Sequence, residues 1–234
     1  MRSGILSHSF SSALRLYQAL ADIPGEEVFI ILVPSPQRSA AVSKLINLVR
    51  IALTSLTGLD RKPLRLLSTR KVIFLPRPLH DQQSIHTLKN LKLDVGLHNA
   101  GVIYREATID AFRLGILNHH IGILPAYRGR SVMEWSILQG DPTGVTVFFI
   151  DAGIDTGRRI LISEPVDVSA FTSIADAKRY LFDLDKVFFR RALDLLRDNP
   201  SFQLNDGSGR RYFVMSKLFA GVVEQLLEAK EVSS

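Results

Sequence analysis

Two rhythms of apolar and polar positions run along the chain. Continuous apolar runs, rich in β-branched and aromatic residues, occur at 28–33, 72–75 and 145–150, with shorter ones at Ile5-Leu6, 94–97, 115–119 and 159–162. Such runs suit strands of a parallel sheet covered on both faces. Between them, apolar residues recur at helical spacing. Leu14, Leu16, Tyr17 and Leu20 predict a helix over 11–21, and a long amphipathic helix with Arg and Lys on one side is predicted over 40–56. Further helices are predicted over 85–91, 111–113, 131–138, 174–196 and 217–229. Pro24-Gly25 and Pro34-Ser35-Pro36 punctuate the pattern as turns.

Alternation of this kind predicts an α/β fold, a Rossmann-like, mostly parallel twisted sheet with helices on both faces. The last two strands, split by a short Gly-containing loop, add an antiparallel element. In open α/β sheets ligands sit beyond the carboxyl ends of the strands, so chemistry is sought there.

Composition narrows the classes. The 234 residues contain no cysteine, which excludes a disulfide framework, a thiolate metal site and a cysteine nucleophile. The overall charge of +6 is uneven: residues 38–80 hold nine basic residues against one acid, Asp60, a net of +8. That segment reads as a contact for an anionic partner or as a solvated face. The N-terminus lacks the long apolar run of a signal peptide, so a cytoplasmic protein with no membrane contact is expected.

Two places after strands are unusually polar. One runs Leu117-Asn118-His119-His120-Ile121-Gly122-Ile123-Leu124-Pro125-Ala126-Tyr127-Arg128-Gly129, the other Asp151-Ala152-Gly153-Ile154-Asp155-Thr156-Gly157. An Asn amide can donate to an oxyanion, a His can move protons near neutral pH, and an Asp can orient that imidazole. This chemistry suits acyl transfer to an amine. No Ser sits in a nucleophile elbow, so direct attack by the acceptor is expected rather than an acyl-enzyme. Taken singly, Asn-His-His also reads as a polar strand end, and the Asp-Gly loop as a hairpin turn. A metal held by His119 and His120 is not expected, because neighbours in a strand point to opposite faces.

In combination, Asn118-x-His120, Leu124-Pro125, Tyr127-Arg128-Gly129, Gly140-Asp141, Thr143-Gly144-Val145-Thr146 and Asp151-x-Gly153-x-Asp155-Thr156-Gly157 closely resemble the folate-dependent formyltransferase family. That family includes methionyl-tRNA and amino-sugar formyltransferases. The resemblance covers 117–159, with weaker similarity at Gly101-Val102-Ile103 and Arg113-Leu114-Gly115. It implies the formyltransferase fold, Asn118, His120 and Asp155 as catalytic trio, and N10-formyltetrahydrofolate as formyl donor. It further implies folate contacts at Gly101, Val102, Ile103, Tyr104, Thr146, Asp151 and Gly153, and no metal. Ile121 and Gly122 depart from the family, which often has Pro, Gly or Ala and then Ser there.

The acceptor is less constrained. Candidate acceptor contacts are Ser9, Tyr127, Arg128 and Gly129, although Ser9 or Ser11 reads equally as a helix N-cap. Residues 1–199 are expected to form the catalytic domain, and 200–234 a short helical extension rather than a β-barrel tRNA-binding domain. A small or carrier-borne primary amine, such as an amino-sugar nucleotide or amino-acid derivative, is therefore favoured over tRNA. The alternatives are a methionyl-tRNA formyltransferase-like activity, a formyltetrahydrofolate hydrolase and a non-catalytic folate-binding relative. The oligomeric state is left open.

Overall fold

Phe29, Ile30, Ile31 and Leu32 have no polar neighbour in the chain to alternate with, and their strand is buried along its length. The computed structural model describes all residues except 36, 58–61, 199 and 232–234. Pro36, Asp60 and Arg61 of the sequence reading, and its boundary at Asn199, lie outside the described residues. Two compact units emerge, Met1–Leu117 and Asn118–Ser234.

The first unit runs β1 (Arg2–Ser7), α1 (Phe10–Leu20), β2 (Glu27–Leu32), α2 (Ala40–Thr57), α3 (Lys62–Ser68), β3 (Val72–Phe74), α4 (Gln82–Asn90), β4 (Val95–Asn99) and α5 (Glu106–Ile109), and then enters β5 (Gly115–His120). Strand β1 pairs in parallel with β2 and β4, β2 with β3, and β4 with the start of β5. The core is built on Ile5, Leu6, Phe10, Leu16, Leu20, Ile30, Ile31, Leu88 and Leu97. Gly4 lies where a Cβ would stand 2.6 Å from Ile31 Cδ1 and 2.8 Å from Leu93 Cδ1, so only hydrogen fits between those side chains.

The second unit holds the end of β5, then β6 (Arg128–Gly129), α6 (Val132–Gln139), β7 (Gly144–Phe149), β8 (Arg159–Pro165), α7 (Ile174–Asp183), α8 (Asp185–Arg197), β9 (Gln203–Leu204), β10 (Arg211–Tyr212) and α9 (Lys217–Glu231). Strands β7 and β8 are antiparallel, as are β8 and β9, while β6 and β10 form a short parallel pair. The α/β class and the antiparallel end of the ladder follow the sequence expectation.

Three local readings are corrected. The helix placed at 111–113 forms earlier, as α5, because the Arg113 and Leu114 amides are drawn to the Leu93 and Asp94 carbonyls. The helix over 174–196 breaks at Leu184, where Asp185 opens α8 with a carboxylate at its positive end. Helix α3 and the two-residue strands β6, β9 and β10 are additional. Among the described residues, no helix is long and apolar enough to cross a membrane.

Helix α2 is fastened inward by polar groups. Asn47, 3% exposed, accepts from the Phe10 amide at 2.9 Å and donates to the carbonyls of Ser43 at 3.1 Å and His8 at 3.3 Å. Asn47→Ala leaves the buried Phe10 amide without that acceptor. It is expected to cost about 1–3 kcal/mol, read as a lower urea midpoint at unchanged m-value.

Candidate active site

Alternation along β5 sends Asn118 and His120 to one face and His119 to the other. Residue Asp155 arrives from the loop between β7 and β8. Its Oδ1 lies 3.5 Å from Asn118 Nδ2, and its Oδ2 lies 3.8 Å from His120 Nδ1. The Gly129 amide donates to the same Oδ2 at 3.2 Å. The structure therefore brings an amide, an imidazole and a carboxylate together within the second unit.

The imidazole is fixed at its other nitrogen. His120 Nε2 lies 2.8 Å from the Tyr127 carbonyl. A carbonyl only accepts, so Nε2 carries a proton, and Nδ1, facing Asp155, is the nitrogen left to exchange one. The ring is 7% exposed and stands edge-on to Phe148. Gly122 makes room for this arrangement. A Cβ there would stand 3.0 Å from His120 Nε2 and 2.9 Å from Val132 Cγ2.

The loop that carries Asp155 is self-bracing. The Asp151 carboxylate accepts from the Gly153 amide at 2.8 Å and the Thr156 hydroxyl at 2.6 Å. Asp155 itself has φ of 43°, a left-handed conformation that a non-glycine residue adopts at a cost. Arg128 spans the neighbouring backbone. Its Nε and Nη2 donate to the Ile154 carbonyl at 3.3 and 3.1 Å, and its Nη1 donates to the carbonyls of Gly207 and, at 3.1 Å, Gly209. Asn205 donates to the Gly157 carbonyl.

The remaining candidates divide. Gly129 combines φ of 100° with its contact to Asp155, and a Cβ there would run into the Tyr212 carbonyl. Tyr127 is buried and stacked on Tyr212 at 5.2 Å; its hydroxyl reaches Asp141 and, at 2.9 Å, Gln139. Burial, and then the Asp141 carboxylate, push this phenol well above its ordinary value. Thr146 is wholly buried, its hydroxyl donating to the Gly122 carbonyl at 2.7 Å and accepting from the Leu124 amide at 3.1 Å. It shapes the turn after β5 rather than presenting a polar group to solvent.

In the first unit, Ser9 stands at the α1 N-cap position, but its side chain does not cap; Arg50 donates to its hydroxyl at 3.1 Å. Gly101 has φ of 58°, and Val102 is partly exposed. Ile103 is exposed, while its carbonyl lies 2.9 Å from His80 Nε2. Tyr104 is buried, with its hydroxyl 3.0 Å from His98 Nδ1.

A family model for formyl transferases matches residues 5–193. The chain belongs to the formyl transferase family. A methionyl-tRNA formyltransferase from Alkaliphilus oremlandii is 31% identical over 129 residues, covering 54% of this chain and 41% of that protein. The chain thus matches about two-fifths of that relative's length. Among solved structures, a 4-N formyltransferase from Francisella tularensis superposes with a TM-score of 0.64 at 13% identity, covering 97% of this chain and 87% of that one. A formyltransferase from Anoxybacillus kamchatkensis, in complex with UDP-4,6-dideoxy-4-formamido-L-AltNAc and tetrahydrofolate, gives 0.56 at 16% identity, with 97% of each chain covered. These two likenesses establish the fold.

The motifs that carry the resemblance end at residue 159, and the sequence does not announce which later residues return to them. Gly207, Gly209, Asn205 and Tyr212 bind back onto Arg128, Gly157 and Tyr127 from the segment assigned to an extension. The sequence Asn205-Asp206-Gly207-Ser208-Gly209 has the composition of a turn, but its partners lie 48–81 residues away.

Two outcomes follow. Arg128→Ala strips the Ile154, Gly207 and Gly209 carbonyls of a shared donor. It is expected to cost about 1–3 kcal/mol and to speed hydrogen exchange of amides in 153–157 and 205–209 above the rest of the unit. His119 is packed on Phe188 and Phe189, its Nε2 lacks a hydrogen-bond partner, and burial followed by the adjacent His120 pulls it down to about 4. Between its ordinary 6.5 and 4, the unfolded chain therefore binds a proton that the folded chain refuses. Stability from this group is complete above 6.5 and is lost as pH falls through that window, by up to about 3 kcal/mol. Urea midpoints should show the gap between wild type and His119→Leu shifting in favour of the variant on acidification.

Proposed function

We propose that this chain transfers a formyl group from N10-formyltetrahydrofolate to a primary amine by direct attack. The observation that carries the reading is the convergence of Asn118, His120 and Asp155, with Asp155 Oδ2 shared between the Gly129 amide and the imidazole. The donor set fits a formamide group: an amide N–H and an imidazole for the formyl oxygen, and a carboxylate for the amine proton. The Asn118 contact to Asp155 engages one face of its amide and leaves a second N–H to donate.

Asn118 Nδ2 and a proton on His120 Nδ1 stabilise the formyl oxygen as it gains charge. A bond forms between the acceptor nitrogen and the formyl carbon, and the bond from that carbon to the folate nitrogen breaks. Asp155 takes the proton released by the attacking amine and passes it to the departing nitrogen, so charge and protons balance. Tyr127, through its carbonyl, keeps His120 Nδ1 turned toward Asp155. Thr146, Asp151 and Gly153 support the donor side by shaping the surrounding loops.

For the acceptor we favour a small or carrier-borne amine. A second reading, formylation of a methionyl-tRNA, is favoured by the name of the relative that matches 54% of this chain. One assay separates the readings. Formyl donor is supplied alone, with amino-sugar nucleotides and amino-acid derivatives, or with methionyl-tRNA, and tetrahydrofolate and formate are measured. Release of tetrahydrofolate that depends on a small amine supports transfer, and dependence on methionyl-tRNA selects the second reading. Formate without any amine means hydrolysis, and donor binding without turnover means a non-catalytic relative. Asn118→Ala and Asp155→Asn should each lower kcat by about a hundredfold or more while both variants stay folded, as read by an unchanged circular dichroism spectrum. Near-normal turnover in either variant removes the trio's assigned role.

A further inference from the structure

Helix α2 wears its amphipathicity inside out. Its inward row is Ser43, Asn47 and Ile51, spaced four apart, two of them polar and all buried. The polar pair is satisfied locally: Ser43 Oγ accepts from the Ser35 amide at 3.2 Å, and Asn47 bonds to the β1–α1 turn. The outward row is aliphatic. Val42, Leu45, Val49 and Leu53 are 47%, 62%, 49% and 54% exposed, with Leu48 and the exposed Ala41 and Ala52 beside them. At about 100° per residue these positions form one continuous stripe. The core has no use for it, and an apolar patch of this kind facing water marks a contact surface.

The edges of the stripe identify the partner's chemistry. Lys44 and Arg50 flank it on opposite sides, between the aliphatic row and the buried row. Neither α2 nor α3 contains an acidic residue, and residues 38–80 carry a net +8. A second copy of this chain docked by twofold symmetry would set Lys44 and Arg50 against their own equivalents, with no carboxylate on the helix to receive them. An anionic surface with an apolar interior matches both features.

We propose that α2 docks on an anionic lipid surface. The helix lies in the plane of the interface, with Val42, Leu45, Val49 and Leu53 in the acyl boundary and the exposed charges of Lys44, over the Phe74 ring, and Arg50, on the Ser9 hydroxyl, at headgroup level on either side. Its inward row stays on the protein. This goes beyond the formyl-transfer reading and does not depend on it.

The test is flotation of the full chain with vesicles of phosphatidylcholine containing phosphatidylglycerol, and with vesicles of phosphatidylcholine alone. The chain is expected to float with the anionic vesicles, and less so as salt is raised. Leu45→Gln with Val49→Gln should weaken that binding at least about tenfold while the circular dichroism spectrum stays as in wild type. Lys44→Glu, an exposed change that leaves the aliphatic row intact, should weaken it several-fold. Absence of flotation with anionic vesicles overturns the proposal, and so does equal flotation with neutral ones. A concentration-dependent dimer that the Leu45/Val49 variant dissolves, seen by light scattering, also overturns it and assigns the stripe to a second copy. These readouts use no folate and no turnover, so they succeed or fail independently of the formyl-transfer assay.

Discussion

The Asp155 carboxylate is the constraint around which the second unit is arranged. Its two oxygens, carried on the β7–β8 loop, serve the Asn118 amide and the His120 imidazole from β5 and the Gly129 backbone amide from β6. Each partner dictates something further. The Gly129 amide reaches the carboxylate only with φ of 100°, and the Tyr212 carbonyl occupies the space a side chain would need, so glycine is required there twice over. Asp155 itself sits in the left-handed region, which costs about 1 kcal/mol or more. Asp151 and Arg128 offset that cost by holding the chain on both sides of it, through the Gly153 amide, the Thr156 hydroxyl and the Ile154 carbonyl.

The paired histidines show how strand geometry separates identical side chains into different chemistries. His120 faces a carbonyl and a carboxylate, groups that define which nitrogen carries a proton. His119, one residue earlier, faces two phenylalanine rings and is held neutral by burial. A metal shared between them is precluded by the same alternation. The buried, unpartnered Nε2 of His119 lowers stability compared with an apolar side chain of similar size, and nothing in the structure explains why histidine stands there.

Much of this was legible in the sequence because it is encoded locally. The continuous apolar runs at 28–33 and 72–75 became parallel strands, the one at 145–150 became a strand paired antiparallel with the next, and the Asn118-x-His120 spacing put both side chains on one face by the period of a strand alone. The turn chemistry of Asp151-x-Gly153 appeared as an Asp side chain accepting from an amide two residues on. What escaped was long-range or marginal. The sequence offers Arg128 as a candidate acceptor contact and does not show its backbone partners. Its engagement with Gly207 and Gly209, 79 and 81 residues away, depends on a two-residue pairing of β6 with β10 that no periodicity announces. The break at Leu184 was hidden because its backbone remains near helical values, φ −72° and ψ −10°, so the apolar spacing runs across it undisturbed.

Helix α2 was legible as an amphipathic helix, but the sequence did not say which of its sides faces in, and the reason is physical. Apolar residues normally turn inward because burial of their surface is the dominant favourable term. Here the inward row gains its stability from hydrogen bonds to the β1–α1 turn instead, each worth only about 1 kcal/mol net, with Ile51 as the apolar anchor. A helix fastened this way is held less tightly than its aliphatic content would allow, and leaving that content in water has a solubility cost. Both facts change sign once an apolar, anionic surface covers the stripe. Binding to the folded helix alone then adds its own free energy to the helix's stability. The outward leucines and valines, unexplained by the interior, become the part of the segment that holds it in place.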